Sequence, residues 1–210
     1  MTVRDHKQQD PAMVSQLPAR RKLARLVADI LAPAPTVAGL LLVVTWHNTP
    51  TAGEALLWTL VTISLGSLLP LLYILLQVRR GRLTDRHVRL REQRLRPLLV
   101  GTTSLLALLA VLVLGGAPRD LVALVSALAV GLVVGTLVTL FWKISGHVGV
   151  VAGTVIILAL DFGPAWLGLA PLVLLIGWAR VEVGDHTPAQ AIGGAGLGAA
   201  VAGVVFTLLR

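Results

Sequence analysis

Trp178-Ala179-Arg180-Val181-Glu182-Val183-Gly184-Asp185-His186-Thr187-Pro188-Ala189-Gln190 places an arginine, two acids, a histidine and an amide between two strongly apolar segments, Trp166–Ala179 and Ala189–Leu209. Segments of that kind belong in a core or a bilayer, and charge kept beside hydrocarbon is costly enough to mark a functional site. Two further polar islands interrupt apolar sequence in the same way. One is Lys143-Ile144-Ser145-Gly146-His147; the other is the arginine-rich run from Arg79 to Arg96, closed by Pro97. Whether the three islands can meet depends on the solvent for which the intervening segments are built.

Composition settles the solvent. The chain is 56% hydrophobic and 13% charged over 210 residues, with a mean hydropathy of +0.85, whereas soluble domains carry about a quarter charged residues. The expected fold is all-α, a polytopic helical bundle in the cell membrane, with residues 26–210 forming one transmembrane domain behind a basic cytoplasmic tail, residues 1–25. The net charge of +8 then reads as topology. It does not imply a nucleic-acid partner, because the basic tracts lack interleaved aromatics and no phosphate-binding loop is present. The absence of cysteine removes disulfides and thiolate chemistry.

Taking about 20 residues per crossing, the apolar spans read Leu26–Trp46, Glu54–Val78, Leu98–Gly115, Leu121–Trp142, His147–Asp161, Trp166–Ala179 and Ala189–Leu209. The first is interrupted by Asp29, Pro33 and Pro35, and the fifth and sixth are short, so the count is six to seven. With seven, one side of the membrane receives 16 of the 18 lysines and arginines, and the other only Arg119 and Arg210. Setting aside Arg89, Arg96 and Arg180 as site residues leaves 13 against 2. Basic loops are retained in the cytoplasm, so all three islands are expected on the cytoplasmic face. Trp46, Trp58, Trp142, Trp166 and Trp178 fall near span ends, as amphipathic rings do.

Arg89-x6-Arg96-Pro97, Ser145-Gly146-His147 and Arg180-x5-His186 resemble, in order and spacing, the three signature motifs of the type 2 phosphatidic acid phosphatase superfamily, the lipid phosphate phosphatases related to vanadium haloperoxidases. The resemblance covers Arg89 to Gln190. It implies a membrane phosphatase acting on a lipid or isoprenoid phosphate or diphosphate, with His186 as the nucleophile that forms a phosphohistidine and His147 as the acid that protonates the leaving oxygen. No cofactor or metal is implied. The residue types suit the chemistry independently: a phosphoryl group in transfer spreads charge over three oxygens and needs fixed donors around it. Arg89, Arg96 and Arg180 supply planar forks, and Ser145 with the Gly146 amide opens a helix whose N-terminus favours an anion.

Four positions depart from the family pattern. Arg89 stands for lysine, Ile144 for proline, Ala179 for serine, and Gln190 for the aspartate that would orient and stabilise the nucleophilic histidine. Gln190 can accept that hydrogen bond without supplying charge, and it keeps open a silent relative that binds anionic lipid headgroups in a structural or transport role; a third reading is a lipid phosphotransferase, in which an alcohol resolves the phosphohistidine. Arg79, Arg80, Arg82, Arg86, Arg91 and Arg94 read as positive loop charge. Gly131, Gly135, Gly194 and Gly198 allow close helix approach, read as core packing, with a homo-oligomer interface as the alternative.

Overall fold

The computed structural model describes residues 18–86, 88 and 90–210, excluding the side chain of Arg91. Most of the expected tail and Arg89 therefore lie outside the described residues. The chain is all-α, with helices and no strand among the described residues. In chain order the helices are α1 (Ala19–Ile30), α2 (Pro33–Asn48), α3 (Ala52–Ile63), α4 (Leu69–Arg79), α5 (Leu95–Leu114), α6 (Arg119–Phe141), α7 (Gly146–Phe162), α8 (Pro171–Glu182) and α9 (Pro188–Leu209).

Proline places the breaks. Pro33 begins α2, where its missing N–H costs nothing, and the chain bends by 44° between α1 and α2. Pro70 cannot donate to the carbonyl four residues back, and the turn before it widens to a π-helical Ser64–Leu68 that joins α3 to α4. Ser104 Oγ of α5 donates to the Leu65 carbonyl in that turn, and Ser67 Oγ of the turn donates to Ala34 O of α2 at 2.8 Å. A six-residue 3-10 turn, Pro164–Leu169, precedes α8.

Five helical stretches are long and apolar enough to cross a bilayer, namely Ala52–Arg79, Leu95–Leu114, Arg119–Phe141, Pro164–Glu182 and Pro188–Leu209; the bent α1–α2 pair makes six. Helix α7 is apolar but has only 17 residues, about 25 Å of rise against a hydrocarbon core of about 30 Å. The expected interruption of the first span at Asp29 and the prolines is present, and α1 begins at Ala19, inside the stretch read as tail.

Contacts at the helix ends show how the chain travels. Arg20 pairs with Glu182 at 3.0 Å where α1 begins, and Asn48 Nδ2 donates to Asp161 Oδ2 at 2.9 Å where α2 ends. The α1–α2 pair thus connects the two ends of the bundle despite its bend. Arg86 reaches back to Asp29 at 2.7 Å. At the far end Arg119 Nε donates to Leu209 O at 2.8 Å, and Arg210 donates to the Leu160 carbonyl. All three polar islands consequently share one end, with Arg119 and Arg210 at the other. Leu41, Leu108, Leu121, Leu124, Ile157 and Phe206 fill the main core, and a second cluster, Ala24, Ala28, Val148, Val151, Ile176 and Ala179, packs α1 and α8 against the first half of α7.

Candidate active site

The C-terminus of α8 carries Arg180 in its last turn, where a cation complements the helix dipole. Arg180 is 1% exposed, and its guanidinium meets Asp185 Oδ2 at 3.0 Å. Gly184, at φ +80°, lets the chain reverse directly after the helix. The amides of Asp185 and His186 then turn back to Arg180 O at 3.1 and 3.2 Å. His186 is buried by this turn. In this turn Asp185 faces Arg180.

Two helices begin beside it, and they run parallel from the same end of the bundle. Ser145 caps α7 in extended backbone, with Gly146 as the first helical residue. Thr187 caps α9 through a capping box: its Oγ1 accepts from Gln190 N at 3.3 Å, and Gln190 Oε1 accepts from Thr187 N at 3.1 Å. The two starts are joined by a hydrogen bond from Ser145 N to Gln190 O at 3.1 Å. Their closeness depends on glycine: a Cβ on Gly194 would collide with the Ser145 carbonyl, and one on Gly198 with the carbonyl of Gly149. Two helix N-termini therefore project partial positive charge toward one place. A Cβ on Gly146 would meet nothing within 4 Å, so space lies open before that first turn.

Ser145 is fully buried, and its hydroxyl has no hydrogen-bond partner among the described residues. His147, on the first turn of α7, is 7% exposed. Lys143 Nζ donates to Asp185 O at 2.8 Å, tying the second island to the third. The first island arrives through a residue read from sequence as loop charge. Arg94 is half-buried at the start of α5, and its Nε donates to Val88 O at 2.9 Å. Val88 itself sits at φ +47°, a strained setting for a β-branched residue. Burial lowers the pKa of Arg94, while Asp185 and Asp85 raise it, which places the guanidinium in the field of the same carboxylate that meets Arg180. Arg96, the expected phosphate ligand, is exposed.

His186 feels all of these charges. Burial first, and then Arg180, Arg94 and Lys143, push its pKa down to about 3, with Gln190 opposing. The ring is neutral at pH 7. Its tautomer follows from the capping box: Gln190 Oε1 already accepts the Thr187 N–H, so this atom is the amide oxygen, and His186 Nδ1, 3.3 Å away, must donate to it. The lone pair is left on Nε2. Among the sequence-selected residues, His186, Gln190, Arg180, Ser145, Gly146 and His147 thus gather at one end, Arg96 is exposed, and Arg89 is not described. Arg94 was missed. The arrangement can hold an anion and present a neutral imidazole nitrogen to it. Compared with known family models, curated proteins and solved structures, the chain matches none.

Proposed function

We propose that the protein is an integral membrane phosphatase that hydrolyses a lipid or isoprenoid phosphate or diphosphate through a phosphohistidine. One observation carries the reading: a buried, neutral imidazole with Nε2 free sits among cations beside two convergent helix N-termini. An anion gains from every one of those groups. His186 Nε2 attacks phosphorus and the bond to the lipid oxygen breaks, with His147 giving that oxygen its proton. Water then attacks phosphorus, His147 takes a proton back, the P–N bond breaks, and phosphate leaves. Gln190 sets the tautomer but adds no charge to offset the imidazolium that forms. Turnover slower than a carboxylate would permit is the consequence.

Purified protein is expected to release phosphate from at least one member of a panel of phosphatidates and polyprenyl phosphates. Release persists in chelator and is inhibited by vanadate, which adopts the five-coordinate geometry of the transferring group. A second reading, a silent binder of anionic headgroups, draws on Gln190 and on Asp185 holding Arg180. Lipid binding without phosphate release from any substrate would select it.

The excess of basic residues at the island end supports a site on the cytoplasmic face of the cell membrane. Because the chain has no cysteine, single cysteines report sidedness cleanly. In intact cells a membrane-impermeant thiol reagent is expected to label Thr49→Cys and spare Thr84→Cys. The reverse pattern would place the site outside.

A further inference from the structure

Arg180 is closed to an entering anion as the chain is folded. It is 1% exposed, its Nε is buried, and its Nη2 lies 3.0 Å from Asp185 Oδ2, on a side chain that is itself only 5% exposed. The turn is built to keep that carboxylate in place. Gly184, at φ +80°, ends α8; the amides of Asp185 and His186 clasp Arg180 O; and Lys143 Nζ holds Asp185 O at 2.8 Å. A buried guanidinium requires a negative partner. Here the chain supplies one itself, in the turn that directly follows the helix.

The other donors of the site are more accessible. Lys143 and Arg94 are partly exposed, and the first residue of α7, Gly146, faces open space. An anion therefore meets those groups first, and it gains Arg180 only by taking the place of Asp185. The two anions do not share the guanidinium: like charges in one buried site repel, and an ionised carboxylate accepts hydrogen bonds but has none to give to a phosphoryl oxygen. The exchange favours a phosphoryl group, which can engage the guanidinium fork at two points. It is also readily reversed, because Asp185 stays tethered beside Arg180. Apparent affinity for the anion is lowered by the fraction of time the carboxylate is away, and minor states of this kind are populated at about 0.1–10%.

We infer that Asp185 is an internal counter-ion that competes with the substrate phosphoryl group for Arg180. Binding of the lipid chain supplies what the exchange costs, and inorganic phosphate, which has no chain, is expelled when Asp185 returns. The catalytic consequences rest on the phosphatase reading; the anion competition is measured without turnover. Asp185→Asn keeps the shape of the side chain and removes its charge. In detergent, the full-length variant is expected to melt lower than wild type in chloride buffer, because a buried cation has lost its partner. Inorganic phosphate and orthovanadate should restore its melting temperature and bind about 10- to 100-fold more tightly than to wild type, as read from the concentration dependence of melting. Glu182→Gln removes a neighbouring charge that pairs with Arg20 instead, and its phosphate affinity should stay at the wild-type value. On a lipid substrate, Asp185→Asn should show a lower KM and stronger inhibition by product phosphate. Phosphate affinity in Asp185→Asn no higher than in wild type overturns the competition, as does equal tightening in Glu182→Gln or the absence of phosphate and vanadate binding in all three proteins. If wild-type protein turns over no lipid phosphate, the phosphatase reading fails, and the binding comparison alone decides. Should Asp185→Asn not fold even in phosphate, the infrared difference spectrum of wild type with and without phosphate decides. A shifted carboxylate stretch upholds the exchange, and an unchanged carboxylate region overturns it.

Discussion

His186→Ala is expected to reduce phosphate release by about 10⁴-fold or more, the scale of removing a nucleophile from a site whose binding groups remain. The variant should still fold, because the backbone of the turn, anchored by amides 185 and 186 on Arg180 O, does not use the imidazole. His147→Ala is expected to lose about 10²- to 10⁴-fold on a lipid substrate, the range for a general acid. The two losses are separable by leaving group. The nitrophenolate of 4-nitrophenyl phosphate departs without a proton, so its first-turnover release should be largely rescued in His147→Ala, where only the water step stays slow, and absent in His186→Ala. Wild-type turnover by His186→Ala would end the phosphohistidine assignment. Acid supplies an independent reading of the same ring. The folded pKa of His186 is about 3, below the ordinary value of about 6.5, so the unfolded chain binds more protons between those limits. The stability due to the neutral ring is complete above about pH 6.5 and is lost as pH falls toward 3. Thermal stability in detergent should therefore fall across that window in the wild type, and fall less in His186→Ala.

Much of this architecture was legible in the sequence because hydrocarbon is an unforgiving solvent. Long apolar runs can only be spans, Pro33 breaks the first of them, and the charged residues between spans mark their ends. The predicted spans and the observed helices differ mainly where a proline or a cap shifts a boundary, as at Pro188, which opens α9 one residue before the expected Ala189. Arg180, Ser145, His147 and His186 were readable because each lies at a fixed spacing from a neighbour in the same island. Arg94 was not, since eight arginines between Arg79 and Arg96 look alike in sequence and only the packing at the start of α5 decides which one is half-buried. Asp185 can turn onto Arg180 because Gly184, at φ +80°, ends the helix between them. Gln190 was read as a lost charge. Its second role, as the third residue of a Thr-x-x-Gln capping box that fixes its own amide orientation, was present in the same letters and becomes decisive only when the box closes beside His186.

The glycines of α9 carry the other large prediction. Helices in lipid associate by close packing, since the surrounding chains are as apolar as leucine, and α7 and α9 meet through bare backbone at Gly149, Gly194 and Gly198. A methyl on Gly198 would occupy the position of the Gly149 carbonyl, which is backbone and cannot swing aside. Gly198→Ala should therefore force the helices apart by on the order of 1 Å, at a cost of about 1–3 kcal/mol for an overpacked contact. The displacement matters more than its cost. Gly149 lies one turn into α7 from Ser145, so parting the helices there strains the bond from Ser145 N to Gln190 O and moves His147 relative to His186. A misplacement of that size, away from the chemistry, can lower turnover by about 10²-fold. Gly196 offers the control on the same helix, because a Cβ there meets nothing within 4 Å. Gly196→Ala should keep both melting temperature and phosphate release, and identical behaviour of the two variants would mean that the glycine seam does not hold the site together.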